Sequence, residues 1–295
     1  MAYGSGTAIK SDGILEDQYC RHCEFSEAIS CTVNDMIRTN SFQFNLCHFR
    51  QRFGGSSLPP GDLVCAIGNY FLGAPYQPDT LESGLKEKLI VNFGQFDCFT
   101  FLETVLALAG CVHACKISKA EFRRRLQLIR YRSGIINGYS SRLHYFTDWL
   151  RDNELKGMLR DVSRRLGAVS FRKKINYMTA HRKSYSGLEN ENEFQKMRRV
   201  EQNISRRAFR VIPKDKVNRQ IGKIKSGDII AFAAGKEGLD VAHAGFALWR
   251  GKKLYLLHAS SLEGAVVVSQ KTLVSYLKQN RNFTGIMVCT NLCMT

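Results

Sequence analysis

The apolar positions along the chain change rhythm near its middle. "LVCAIGNYFLG" (63–73) is an apolar helical run, closed by Gly73 with Pro75 just beyond, as helix C-termini prefer. "KLIVNFG" (88–94) reads as a short strand or extended segment. In the stretch that follows, Cys98, Phe101, Leu102, Val105, Leu106, Leu108 and Ala109 recur at helical spacing. Residues 116 to about 210 are mainly helical in pattern, with a break at "RSGIINGYSSRLHY" (132–145). The polar stretch 181–207 predicts a surface helix with a flanking loop. After Pro213 come "DIIAFAA", "VAHAGFALW", "KLYLLHAS", "AVVVS" and "GIMVC", short β-type runs separated by Gly-bearing turns. Helices first and an antiparallel sheet after them predict an α+β fold.

Residues 1–55 read as a polar, Cys-containing extension, and the turn-rich "GGSSLPPGD" (54–62) marks a boundary. The expected organisation is therefore an extension over 1–55 and one domain over 56–295, with a helical insertion at about 150–212. No apolar run approaches the ~20 residues that span a bilayer, so no integral membrane segment is expected. The start lacks the charged and apolar regions of a signal peptide, which points to the cytoplasm or to a signal-independent export route. Five of the ten cysteines (Cys65, Cys98, Cys111, Cys115, Cys289) lie in apolar segments, as reduced buried thiols do. A zinc knuckle from Cys20, His22, Cys23, Cys31, Cys47 and His48 lacks the usual second spacing, and no metal or cofactor is called for. The net charge of +17 favours anionic partners. Its clusters at 121–132, 160–174 and 196–210 have no interleaved aromatic ladder and match no nucleic-acid-binding signature, so nucleic acid is not the expected partner.

The chemistry centres on Cys98. Asp97 is a good N-cap, which puts the thiol at the first helical position. There the helix dipole and unpaired backbone N–H groups favour thiolate, and the same N–H groups can serve an oxyanion. A nucleophile needs a base, and "VAHAGFALWRGKKLYLLHASS" offers His243 and His258 on one expected hairpin. A two-residue loop at Arg250-Gly251 pairs them directly. A four-residue loop over 250–253 keeps them on one face, two positions out of register. An unbulged three-residue loop sends them to opposite faces. With an even loop, the second imidazole can fix the tautomer of the first.

Cys at a helix start, then His on a strand, then a polar residue on the next strand resembles the papain-related NlpC-type cell-wall hydrolases. The sequence is most similar to their N-acetylmuramoyl-L-alanine amidase-like branch, the domain-of-unknown-function 1460 family. The stretches that carry this are "FLGAPYQPDTLE", "LIVNFGQFDCFTFLETVLALA", "INGYSSRLHYFTDWLRDN", "AHAGF" and "LLHASSLEGAVVV", spread over about 63–289. The resemblance implies a papain-like (NlpC-type) core, with N-terminal helices packed on a C-terminal antiparallel sheet and a helical insertion. It also implies amide hydrolysis on muropeptides, at the bond between N-acetylmuramic acid and L-alanine, with preference for 1,6-anhydro sugars. By carry-over Cys98 is the nucleophile, His243 the base, His258 the orienting residue and Tyr76 an oxyanion helper. Asp97, Asn137, Arg142, His144 and Tyr145 fall at substrate-binding positions. Arg142 could hold a peptide carboxylate or form a salt bridge within its loop, for instance to Asp148.

The chain departs from the family pattern at Phe99, where a small polar residue commonly follows the Cys. The basic 181–207 segment looks like an insertion, and the family's usual export signal is missing. Three rival readings share these residues. One is a peptidase cutting inside the stem peptide. Another is acyl transfer to an acceptor other than water. The third is a basic nucleic-acid or membrane-binding protein on an inert papain-like core.

Overall fold

The computed structural model describes residues 44–82 and 86–292. Its first helices are α1 (Leu46–Phe53), α2 (Pro60–Tyr70), α3 (Cys98–His113), α4 (Lys119–Arg130) and α5 (Phe146–Leu155). Then come strands β1 (Leu159–Asp161) and β2 (Val169–Phe171), the helical turn α6 (Tyr177–Ala180) and α7 (Glu191–Ser205). Strand β3 (Phe209–Pro213) and the turn α8 (Val217–Gln220) lead into the main sheet strands. These are β4 (Ile229–Ala234), β5 (Val241–Arg250), β6 (Lys253–Ser260), β7 (Ala265–Val268) and β8 (Phe283–Asn291), with α9 (Leu273–Gln279) before the last.

The sheet runs β2-β3-β8-β4-β5-β6-β7, and β1 pairs with β8 beside β3. All the ladders between these strands are antiparallel. One face carries the main core with α2 and α3, through residues such as Ala244, Phe246, Leu257 and Met287. The other face packs Ile230, Phe232, Leu254, Leu256 and Ile286 against Leu273 and Leu277 of α9. This is the α+β architecture expected from the order of elements, with the papain-like core that the resemblance implies.

Helix α3 is the central element. Its residues from Thr100 to Val112 are all buried, as befits a helix that is apolar nearly all round. Even its one carboxylate, Glu103, is 1% exposed and pairs with Arg130 of α4 at 2.6 Å. Arg130 also donates to the Ile90 carbonyl at 2.7 Å, and the Tyr131 hydroxyl to that of Lys88 at 3.1 Å. These two bonds pin the 88–94 segment, which is extended but forms no strand.

Three expectations need correction. The boundary near residue 55 does not separate a tail from a core, because α1 buries Phe49 and Phe53 in the same cluster as Phe71 and Phe101. The insertion over about 150–212 is not only helical, since it supplies β1, β2 and β3 to the sheet. The cysteines are not uniformly buried thiols. Cys65, Cys111 and Cys289 are, but Cys115 is exposed at the end of α3 and Cys47 is disulfide-bonded. Residues Cys20, His22, Cys23 and Cys31, proposed in part of a zinc knuckle, lie outside the described residues. Among the described residues no group of three His, Cys, Asp or Glu could hold a metal, and no helix is long and apolar enough to cross a membrane.

Removing one member of the buried ion pair leaves the other charge sealed in the core. Glu103→Ala should therefore destabilise the protein by about 3–5 kcal/mol in denaturant unfolding. A loss under about 1 kcal/mol would show that Arg130 finds water or another partner.

Candidate active site

The start of α3 is built by a reciprocal cap. The Asp97 carboxylate accepts from Phe99 N–H at 2.8 Å and Thr100 N–H at 2.7 Å, and Asp97 N–H donates to Thr100 Oγ1 at 3.0 Å. This is the capping box that anchors a helix N-terminus. It takes up the second and third amides of the helix, and the amide of Cys98 lies outside the cap and faces its own sulfur. Phe99, the departure from the family pattern, lies edge-on to Trp149 at 5.2 Å and to Phe146 at 6.1 Å. It thus packs the helix start onto α5 rather than adding polarity.

The hairpin resolves the loop question. Arg250 faces Lys253 and Trp249 faces Leu254, so the connection is the two-residue turn Gly251-Lys252. That gives the register of the 250–253 alternative: both histidines lie on one face, two positions apart, with Gly245 opposite His258. The fit at Gly245 is tight, because a Cβ there would lie 2.8 Å from that of His258 and 2.9 Å from the Leu257 carbonyl oxygen. The two rings meet with His243 Nε2 2.7 Å from His258 Nδ1, at an interplanar angle of 79°.

A second irregularity aims His243. The β4–β5 register shifts so that Phe232 faces His243 while Ala233 faces Val241. Ala242 is the extra residue of a β-bulge, a common device beside sites because it re-aims a side chain. Phe232 stacks on the His243 ring at 5.9 Å and is itself backed by Phe283 at 4.7 Å.

Between β5 and β6 the ladder stops at Phe246↔Leu257, although β5 begins at Val241 and β6 ends at Ser260. The Cys98 sulfur occupies this opened end and takes a hydrogen bond from Ala244 N–H, next in sequence to His243. No hydrogen bond joins the sulfur to the imidazole within the described residues. Burial, reinforced by the Asp97 charge, pushes the Cys98 thiol up to about 12, against the pull of the Ala244, Cys98 and Phe99 amides. Burial likewise lowers His243 to about 3, helped by His258, and His258 to about 4. The resting site therefore holds a thiol and two neutral imidazoles.

In a neutral pair one ring nitrogen donates and the other accepts. If His243 Nε2–H donates, His243 Nδ1 keeps its lone pair and His258 carries its proton on Nε2. That last nitrogen is buried and has no hydrogen-bond partner among the described residues.

Two tyrosines flank the sulfur. Tyr76 is held by its N–H to the Gly264 carbonyl at 2.8 Å and bridges to Phe96. Burial first, then the charges of Cys98, Asp97 and Asp79, push its phenol up to about 12, so it stays a donor. Tyr276 of α9 is edge-on to His258 at 5.4 Å, and its phenol also rises to about 12 through burial and the nearby Cys98. The sequence reading missed Tyr276. The signal was Thr272, an N-cap whose hydroxyl accepts from Ser275 N–H, followed by Leu273 and Leu277 at helical spacing.

The remaining predicted residues are not gathered at the sulfur. Arg142 is 5% exposed and donates to Glu82 at 2.7 Å and to the Leu81 carbonyl at 3.0 Å, with Glu87 at 3.5 Å. Its expected alternative partner, Asp148, pairs instead with Arg132 and Arg207. His144 is half-buried, and its Nε2 meets the Tyr139 carbonyl at 3.0 Å. Burial and the Arg142 charge hold it neutral. The Tyr145 hydroxyl donates to Glu201 at 2.6 Å and accepts from Met178 N–H at 2.9 Å. Asn137 is exposed, and its N–H donates to Ser141 Oγ. Of these four, Tyr145 links the start of α5 to α7 and Arg142 anchors the segment that carries Glu82 and Glu87.

Fold and site together define a papain-like hydrolase framework. The family model of AmiA-like, N-acetylmuramoyl-L-alanine amidase-like proteins matches residues 66–286, and the chain belongs to that family. It is an amidase-like protein of peptidoglycan chemistry. Among solved structures it is similar to an N-acetylmuramoyl-L-alanine amidase from Bacteroides uniformis, at 39% identity over 79% of this chain and 99% of that one, with a TM-score of 0.75. A Bacteroides fragilis protein named as a candidate xylanase is also 39% identical, covering 76% and 99%, with a TM-score of 0.73. A Legionella pneumophila protein of the domain-of-unknown-function 1460 family shares the fold at 22% identity, over 84% and 93%, with a TM-score of 0.67. No curated protein matches the chain.

Two outcomes follow from this geometry. Alkylation of Cys98 by iodoacetamide should keep accelerating as pH rises above 8, because the thiol is raised and must ionise first. A plateau already reached by pH 6 would show a preformed thiolate–imidazolium pair instead. Gly245→Ala should push His258 out of line and cut turnover by about 10²-fold, the cost of a displacement near 1 Å. Unchanged turnover would show that the His258 position does not matter.

Proposed function

We propose that the protein is a cysteine-dependent amidase that cleaves the bond between the N-acetylmuramoyl group of peptidoglycan fragments and L-alanine, with a 1,6-anhydro sugar as the preferred form. Family membership supports the bond, and the 2.7 Å contact between the two imidazoles carries the mechanism. That contact uses His243 Nε2 and leaves Nδ1 as the ring nitrogen with a lone pair to take a proton.

The steps follow from the charge states. As the Cys98 sulfur attacks the lactyl carbonyl carbon, its proton passes to His243 Nδ1. The new imidazolium is steadied by the neutral His258 ring, whose Nδ1 accepts the Nε2 proton. The oxyanion takes hydrogen bonds from the Cys98 N–H, which the helix cap does not use, and from the Tyr76 phenol. His243 Nδ1–H then protonates the departing L-alanine nitrogen, which leaves a muramoyl thioester. Water, deprotonated by the same imidazole, hydrolyses it and restores the thiol. Because the thiol is raised and the imidazole lowered at rest, proton transfer accompanies attack rather than preceding it.

The xylanase name of one neighbour fits less well. Glycoside hydrolysis uses a carboxyl pair across the scissile bond, whereas Asp97 is spent on the helix cap.

Mass spectrometry of products from defined anhydro-muropeptides tests the reading. Wild type should release the intact L-Ala-bearing stem peptide, Cys98→Ala should release none, and His258→Ala should lose about 10²–10⁴-fold. His258→Asn should recover part of that loss, because an amide can also orient an imidazole. Cleavage within the stem peptide would replace this reading by the endopeptidase one, and full activity of Cys98→Ala would remove the thiol mechanism.

A further inference from the structure

A cleft of about 780 Å³ opens beside the catalytic pair, with His243 and Tyr276 in its wall. Its far side is made by Glu263 of the β6–β7 turn, Lys271 of the connection between β7 and α9, and Arg281 of the loop that follows α9. Two cations thus face one carboxylate. Lys271 is tied to the Gln279 side chain, while Arg281 is exposed and has no ion-pair or hydrogen-bond partner among the described residues.

The loop that presents Arg281 is fixed. Asn282 N–H donates to Asn280 Oδ1 at 3.0 Å, Gly235 N–H to the Asn282 carbonyl at 2.7 Å, and Lys214 Nζ to the Asn280 carbonyl at 2.7 Å. The guanidinium therefore projects from a backbone braced on both sides, and Lys214 adds a third positive charge behind it. Asp97, the carboxylate that bears on the sulfur, and Asp79, which bears on Tyr76, belong to other elements and do not line this cleft.

Reaction geometry orients the substrate. The leaving nitrogen has to reach the His243 proton, so whatever is attached to that nitrogen must extend along His243. On the proposed amidase reading, on which this inference rests, that group is the stem peptide, which carries free carboxylates, while the acyl group is an uncharged sugar. We propose that this cleft is the leaving-group subsite, that it binds an acidic peptide, and that Arg281 is its specificity-determining carboxylate contact. A volume of this size suits a peptide of two or three residues. The subsite selects for negative charge on the departing half and leaves the sugar half to other surfaces.

The experiment uses full-length Cys98→Ala protein and calorimetry with two probes: L-Ala-γ-D-Glu and the same dipeptide with both carboxylates amidated. The acid form should bind more tightly. Arg281→Gln should weaken it about tenfold, the scale of one hydrogen bond to a charged group, and leave the amidated probe unchanged. Arg281→Lys should restore part of the difference. In otherwise wild-type enzyme, Arg281→Gln should raise KM for an acidic muropeptide far more than it lowers kcat. Equal binding of the two probes, binding of neither, or equal weakening of both by Arg281→Gln would overturn the subsite. These binding readouts stand apart from product analysis: if mass spectrometry shows a different scissile bond, the amidase reading fails while the dipeptide data still judge the cleft.

Discussion

The contact between two uncharged imidazoles is the constraint on which the site rests. It exists because a two-residue turn sets the β5–β6 register, and because position 245 lacks a side chain where His258 must pass. It works because burial keeps both rings neutral, so that one can donate while the other accepts. An Asp in the third position would hold a proton on His243 by charge. A His can do so only by geometry, which explains why the surroundings are so closely specified. Phe232 and Phe283 back one ring, Tyr276 flanks the other, and a bulge at Ala242 adjusts the approach.

The sulfur meets strand β5 at an interruption in the sheet. Antiparallel ladders normally consume every inward amide. Here the ladder between β5 and β6 ends early, and the Ala244 amide turns to Cys98 instead. The helix that brings the thiol packs on one face of the sheet, while the imidazoles share the other face with Phe232 and Leu256. An opened strand pair is therefore what lets the start of α3 contact the strand that carries His243, and the capping box anchors that helix start.

Much of this was legible in the sequence because it depends on local rules. Asp97 followed by Cys98 and an apolar period of 3.6 gives the cap and the thiol position. The five β-type runs after Pro213 correspond to β4 to β8, and evenness of the hairpin loop sufficed to put the two histidines on one face. What stayed hidden depends on tertiary partners. Strands β1 and β2 have three residues each, too few to show alternation, and exist only because longer neighbours pair with them. Arg142 looked available because its partners, Glu82 and Glu87, lie some 55–60 positions earlier in a segment that reads as loop. Tyr276 sits on a seven-residue helix between strands, where the β pattern dominates the reading.

The segment between α5 and β4 has a wider consequence. By lending β1 and β3 to the outer side of β8, it covers a strand of nine residues that would otherwise present its amides and carbonyls to solvent. Exposed edges of that kind recruit strands from other molecules. Shortening this stretch to resemble a smaller hydrolase would thus trade a closed border for a self-adhesive one, so solubility, and not only shape, is written into what looks like an appendage.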